Sequence, residues 1–388
     1  MRQLRQLPMP ARTPEVPLRF PFVLGPLGTP PPVIHWARRR QPVCPVELPG
    51  GSWLWMISRR DDLLRVFTDP DLVRLSDAAE ALPPPAAISG AARSRAGQPG
   101  AEYCATWAVE SHRPAIVKQA GLVLDAMETG NNPADLLEQW AAPLTAAVCR
   151  DVFGLSFDPQ ELRNLLIQEE PTGNSAARHP VLHSLTEHLR DDPVRGNAAG
   201  APFKAREQRE VDTEPSHTMV SGLLVRCARS LFSALLTGPF TLLLHPKPLR
   251  ECLRDPVLWQ AAAGELRRYH PGTVLGPTHI ALRDLELHST LIKAGDAVCA
   301  SPLGAAWDEE HYPTPAKFDI HRPDAGATYL RTNPGPLVDD GLSRLVLSIV
   351  CPALFERFPQ LRLAVDEYEI PWRSDLTFIR PACLPVAW

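Results

Sequence analysis

The chain has 388 residues, of which 44% are hydrophobic, enough for one large core or two ordinary domains. Charged residues make up 22% and the formal net charge is −4, which argues against an electrostatic footprint for nucleic acid. The 8 cysteines are scattered without a Cys-x-x-Cys pair, so they indicate reduced thiols of a cytoplasmic protein and exclude an ordinary zinc ribbon.

No apolar run of the kind found in secretory signals occurs among the first residues. The most apolar stretch, Leu231 to Leu244, is too short to span a bilayer and contains Pro239. We therefore predict a buried core helix that Pro239 kinks or ends, in a cytoplasmic protein without a membrane partner.

Local patterns predict an alternation of helices and short strands along the chain. The first half suggests a hairpin at 48–58, a helix in "RRDDLLRVFTDPDL", a long loop at 81–100, helices in "HRPAIVKQAGLVLDAME" and "ADLLEQWAAPLTAAVCRDVFG", and a superficial segment at 169–217. The second half suggests helices from 219 to 269, strands in "THIAL" and "LELHSTLIKAGDAVCAS", a helix at about 339–358 and paired terminal strands. The fold class is thus mainly α with small β-sheets (α+β).

The loop "YLRTNPGPLVDD", Tyr329 to Asp340, leads into the last predicted helix. Loops that run into a helix start are common places for anion and cofactor contacts. This loop presents Leu337, an apolar residue, at its tip.

The segment from Gly264 to Pro323 resembles the C-terminal half of bacterial cytochromes P450, through "ELRRYHPG", "LIKAGDAV" and "YPTPAKFDIHRP". Glu265 and Arg268 match the Glu-x-x-Arg motif of that family. The resemblance implies that their ion pair locks a helix to the segment carrying His321 and Arg322. It covers most of the chain and implies a single large cytochrome P450-like domain over residues 1–388, with a degenerate haem-binding loop at 329–340.

In the family that this chain resembles, a cysteine thiolate before the last long helix holds the haem iron. The corresponding position falls on Leu337, which offers no lone pair to a metal. Cys351 is the nearest cysteine, but its apolar helical surroundings predict a buried structural thiol. Asp339 and Asp340 at the helix start are expected to cap the helix.

The family's propionate-binding and oxygen-activation residues are also altered here. Basic positions fall on Gly335, His279 and Ile116, although His112 is retained. The acid and hydroxyl of the central helix fall on Arg229 and Ser230, so a proton-delivering carboxylate is missing while Ser230 can imitate the threonine. These losses argue against monooxygenase chemistry, and we expect no catalytic residue, no haem and no other cofactor.

The remaining histidines do not suggest a metal site. They lack His-x3-His spacing and are expected to be structural or superficial: His270, His279, His288, His311 and His321. The sequence "DEEH", Asp308 to His311, is interpreted as an ordinary surface turn.

Among proteins of the resembled fold, haem-free auxiliary proteins of antibiotic glycosyltransferases share a loop similar to "NPGPL". This resemblance implies that the chain binds and activates or stabilises a deoxysugar glycosyltransferase, with a hydrophobic aglycone as a further ligand. Two alternatives stay open. One is a cytochrome P450-type enzyme acting on a secondary metabolite, as a monooxygenase or a haem-free rearrangement catalyst. The other is a carrier of hydrophobic ligands.

Overall fold

A computed structural model describes residues 17–49, 51–74, 109–153, 217–323, 338–373 and 378–388, together with residues 162, 164 and 166. The predicted loop at 81–100, residues 169–216 of the predicted superficial segment, and Leu337 with the rest of 324–337 lie outside these residues.

The described residues form nine helices. They are α1 (Pro32–Arg40), α2 (Arg60–Thr68), α3 (Arg113–Glu128), α4 (Ala142–Phe153), α5 (His217–Leu244), α6 (Pro246–Arg254), α7 (Leu258–Tyr269), α8 (Pro302–Ala306) and α9 (Val338–Arg357). Of these, α1 and α8 were not predicted from the sequence, and the others overlap predicted helices. Short 3-10 turns at Pro26–Gly28 and Val109–His112 and a π-helical turn at Leu137–Ala141 complete the helical part.

The strands are short. They are β1 (Leu18–Arg19), β2 (Val43–Glu47), β3 (Trp53–Ile57), β4 (Leu72–Arg74), β5 (Ala134–Asp135), β6 (Thr278–Ala281), β7 (Leu285–Leu287), β8 (Thr290–Ile292), β9 (Ala297–Ala300), β10 (Arg362–Leu363), β11 (Trp372–Arg373), β12 (Arg380–Pro381) and β13 (Pro385–Ala387). The largest sheet has six strands in the order β1-β2-β3-β9-β6-β4, and the smaller sheets are β10-β13-β5, β11-β12 and β7-β8. The predicted mainly α architecture with small β-sheets is confirmed.

The β2–β3 hairpin shows how local sequence fixes strand register. Val43 pairs with Ile57 and Glu47 with Trp53 in antiparallel register, and Gly51 takes a positive φ of 84° in the connection. A left-handed residue in a tight hairpin favours glycine, which the sequence supplies. On the outer edge of β3, strand β9 pairs in parallel and joins the hairpin to the C-terminal half.

Helix α5 runs through the centre of the helical layer, and its side chains from Leu231 to Leu242 are buried. Of the two predicted effects of Pro239, a kink or an end, the end does not occur, because the helix continues to Leu244. Packing on all sides outweighs the local cost of proline. The stretch Leu224–Leu244 is long and apolar enough to cross a membrane, but 83% of its most apolar window is buried, as expected of a core helix.

Helices α3, α4, α5, α7 and α9 enclose the main hydrophobic core. Helices α5 and α9 approach closely at Gly238, where an added Cβ would lie 3.0 Å from Leu347 Cδ2 and 3.8 Å from Cys351 Sγ. Two smaller cores lie against the large sheet. This arrangement brings the end of α7, the middle of α5 and the start of α9 together.

Candidate functional site

The Glu265–Arg268 pair lies fully buried on α7, since both side chains have 0% exposure. Arg268 donates to both Glu265 oxygens, at 2.7 and 2.8 Å, and its Nη1 donates to the Ala306 carbonyl at 2.9 Å. Glu265 also accepts the Asp319 backbone N–H at 3.0 Å and lies 3.5 Å from Arg322 Nε. The network therefore ties α7 to the irregular segment that ends at Arg322.

His321 does not join the buried Glu265–Arg268 network, although the family resemblance places it in the segment that this pair holds. Its Nε2 lies 2.8 Å from Glu251 Oε2 on α6, and the imidazole is largely exposed. This contact lowers the pKa of the Glu251 carboxyl, with the hydrogen bond as its main cause. Arg322 thus joins the buried network, while His321 makes a surface contact.

A second buried ion pair, between Arg267 and Asp340, joins α7 to the first turn of α9. Arg267 Nε donates to Asp340 Oδ1 at 2.8 Å, and both residues are about nine-tenths buried or more. The same guanidinium donates through Nη2 to Ser230 Oγ at 3.2 Å and to the Pro271 carbonyl at 2.9 Å. Three helices, α5, α7 and α9, therefore meet at one arginine.

Arg267 was not among the residues that the sequence singled out. Arg267 lies in a stretch of α7 that is buried without interruption from Ala262 to Arg268. A charged side chain on a buried helical face requires a paired partner. Sequence alone could not name Asp340, which lies 73 positions away.

Ser230 and Arg229 occupy neighbouring positions with different surroundings. The Ser230 hydroxyl is 1% exposed, and Arg267 can only donate to it, so the oxygen acts as an acceptor in this contact. Burial, and secondarily the charge of Arg380, lowers the pKa of Arg229 to about 10. Arg380 itself donates to the Leu166 carbonyl and lies over the Phe232 ring. By the resemblance, the position of the family's acid thus carries a half-buried cation.

Asp340 makes a tertiary contact in place of the helix cap that its position predicts. Its Oδ1 binds Arg267, while its Oδ2 is buried without a hydrogen-bond partner. Ser343, one turn later on α9, has a fully buried hydroxyl that also lacks a partner. The first turns of α9 therefore place two oxygen atoms without hydrogen-bond partners in the interior, Asp340 Oδ2 and Ser343 Oγ.

Three of the described imidazoles are buried: His112, His270 and His279. Burial lowers the pKa of His270 to about 3, and its ring stacks on Trp372 at 5.7 Å between centroids. Burial likewise lowers the pKa of His112 against the opposing effect of Asp151. His279 is buried, with Nδ1 3.0 Å from the Pro277 carbonyl. Among the described residues, no cluster of three or more metal-binding side chains occurs.

The segment Asp308–His311 is a structural turn that holds α1. Buried Asp308 lies 3.7 Å from Arg38 Nε and accepts the Arg60 backbone N–H at 3.0 Å. Glu309 forms ion pairs with Arg38 and Arg39. These contacts engage the carboxylates in the fold and agree with the interpretation as a turn.

Comparison with known proteins gives matches along most of the chain. The family model "Cytochrome P450" matches residues 251–333. Cytochrome P450 105C1 of a Streptomyces species is 28% identical over 97% of this chain and 100% of its own length. Nocardicin C N-oxygenase of Nocardia uniformis is 29% identical over 90% of this chain and 94% of its own. Mycinamicin VIII C21 methyl hydroxylase of Micromonospora griseorubida is 27% identical, with 85% and 89% covered.

These relatives correct three expectations. The prediction of a non-catalytic glycosyltransferase activator is wrong, because the relatives are named as oxygenases and hydroxylases. The prediction that the chain is not an enzyme is wrong for the same reason. The expectation of no haem is also corrected, since the family match and the relatives point to haem as the cofactor.

The described donor atoms do not fit a haem held by a cysteine thiolate. Cys351 is the only cysteine of α9, and it is 0% exposed within the helical core. Burial raises the pKa of its thiol. At the start of α9 the described polar side chain is Asp340, which is already paired with Arg267. The residues present thus disagree with that mode of iron binding.

Solved structures agree with the sequence relatives on architecture. The crystal structure of HinD has a TM-score of 0.78 at 25% identity and covers 97% of this chain and 100% of its own. The structure of mycinamicin VIII C21 methyl hydroxylase bound to mycinamicin VIII has a TM-score of 0.77 at 24% identity, with 96% and 100% covered. The chain has the cytochrome P450 fold.

Proposed function

We propose that this chain is a cytochrome P450-type enzyme that acts on a secondary metabolite in the cytoplasm. The observation that carries the proposal is the likeness to oxygenases and hydroxylases of antibiotic pathways over 85% of this chain or more. Actinomycete relatives among them act, by their names, on nocardicin C and on mycinamicins. Fold alone does not determine chemistry, so the proposal depends on these names and not on architecture.

The chain places the hydroxyl group of Ser230 in its buried interior. The Ser230 hydroxyl accepts from Arg267, and its proton stays available for an acceptor on a bound molecule. The neighbouring guanidinium favours negative charge on that oxygen. By the family resemblance, Ser230 stands at the hydroxyl position of the oxygen-activation motif, and we assign it the role of holding a proton there.

The test is conversion of candidate substrates by the purified full-length chain. The chain is incubated with mycinamicin VIII and nocardicin C in the presence of haem, a ferredoxin, its reductase and NADPH, and the products are analysed by mass spectrometry. The mycinamicin VIII hydroxylase serves as the positive control. We expect a product with a changed mass for at least one secondary metabolite, and less product from Ser230→Ala. No haem uptake together with no product across a wider macrolide panel would refute the proposal.

The glycosyltransferase partner and the hydrophobic aglycone predicted from the sequence stay predictions. Co-purification of the chain with glycosyltransferases encoded next to its gene tests the first. Titration of the isolated chain with aglycones tests the second.

A further inference from the structure

The thiols of the described residues lie in surroundings that disfavour thiolates. Of the 8 cysteines, 7 fall in the described part, and no disulfide joins any two of these. Six are buried and Cys383 is half-buried. Burial raises the pKa of Cys44 and of Cys149 to about 12, and that of Cys252 to about 11. Apolar burial raises the pKa of a thiol, whereas nearby cations or a helix N-terminus lower it.

The position of Cys351, the one cysteine on α9, excludes it as an iron ligand near the start of that helix. Cys351 is the fourteenth residue of a helix that begins at Val338. At 1.5 Å rise per residue, its Cα lies roughly 20 Å along the axis from the helix start. Its sulfur faces α5 near Gly238, where an added Cβ would lie 3.8 Å away. The thiol is therefore packed between two helices, far from the end where α7 meets α9.

At that end the polar contact is an ion pair. Arg267 binds Asp340 at 2.8 Å and Ser230 at 3.2 Å, so one guanidinium connects α9 to both α7 and α5. Asp340 Oδ2 remains buried and without a partner. A thiolate placed beside this carboxylate would add a second anion to a site with a single guanidinium, which raises the free energy of both anions.

We propose that no cysteine of the described residues ligates haem iron in this chain, and that the Arg267–Asp340 ion pair is the polar link that holds the start of α9. This ligand proposal rests on the proposed function because both concern haem as the cofactor. By resemblance, the vacated ligand position is Leu337.

Absorbance spectroscopy of the full-length chain after incubation with haemin tests the ligand. Wild type, Cys351→Ala and Leu337→Cys are reduced under carbon monoxide. We expect wild type and Cys351→Ala to lack the long-wavelength carbonyl band of thiolate-bound haem, and Leu337→Cys to gain it. That band in wild type, retained in Cys104→Ala, would overturn the proposal. A wild-type chain that takes up no haem would refute the proposed function while agreeing with the ligand proposal.

Urea unfolding tests the ion pair without any cofactor. Asp340→Asn leaves the Arg267 guanidinium buried and unpaired, and Arg267→Met leaves the carboxylate unpaired. We expect each single variant to unfold at a lower urea concentration than wild type, and the double variant to lose less stability than the two single losses together. Asp61→Asn, which removes a carboxylate that is 90% exposed and lies outside this junction, is the control and is expected to change the midpoint little. Additive losses in the double variant would overturn the assignment.

Discussion

Lowering the pH from about 7.5 to about 5 is expected to destabilise the fold through His270. This side chain is 4% exposed at the end of α7 and is stacked against Trp372. Burial, followed by the charges of Arg268, His245 and Arg267, lowers its pKa from 6.5 to about 3. Protonating the ring in the folded state would place another cation beside two arginines.

The sign of the effect follows from proton uptake. Between the folded pKa of about 3 and the unfolded value of 6.5, the unfolded chain binds more protons, so stability rises with pH. The contribution is fully present above pH 6.5 and is lost as the pH falls through this window. At pH 5 the unfolded imidazole is largely protonated, and the loss is about 2 kcal/mol.

Urea unfolding at the two pH values, on wild type and His270→Phe, measures this contribution. Phenylalanine keeps an aromatic ring against Trp372 but cannot bind a proton. We expect the variant to lose about 2 kcal/mol less than wild type between the two conditions. Equal losses for wild type and His270→Phe would refute the assignment.

Two further predictions concern the fold. Glu265→Gln leaves the buried Arg268 without its carboxylate partner and is expected to cost about 3–5 kcal/mol in urea unfolding; a cost below about 1 kcal/mol would contradict a buried network. Gly28→Ala would place a Cβ 2.2 Å from the Trp372 ring at a φ of +70°, and we expect a loss of more than about 2 kcal/mol by thermal unfolding. Gly51→Ala, with a φ of +84° and no atom within 4 Å, is the matched control and is expected to cost about 1 kcal/mol; equal losses would show that Trp372 is not the cause.

Local sequence patterns determined the secondary structure because the signals are local. The periodicity around Leu342 and Val346 predicted α9, and the glycines before Trp53 predicted the first hairpin. Pro239 misled the prediction because local cost was judged without the packing that surrounds α5. The family resemblance supplied the Glu265–Arg268 pair, whose spacing of three residues places both side chains on one helical face.

Tertiary structure decided which charges meet. Arg267 and Asp340 lie 73 positions apart, and no periodicity relates them. His321 and Arg322 are adjacent in sequence, yet one turns to Glu251 at the surface and the other to buried Glu265. Helix and strand propensities act over a few residues, whereas a buried charge selects its partner from any element that folding brings within about 4 Å. The sequence alone therefore determined the elements and the absence of a cysteine at position 337, and only the folded chain placed the Arg267 guanidinium where α5, α7 and α9 meet.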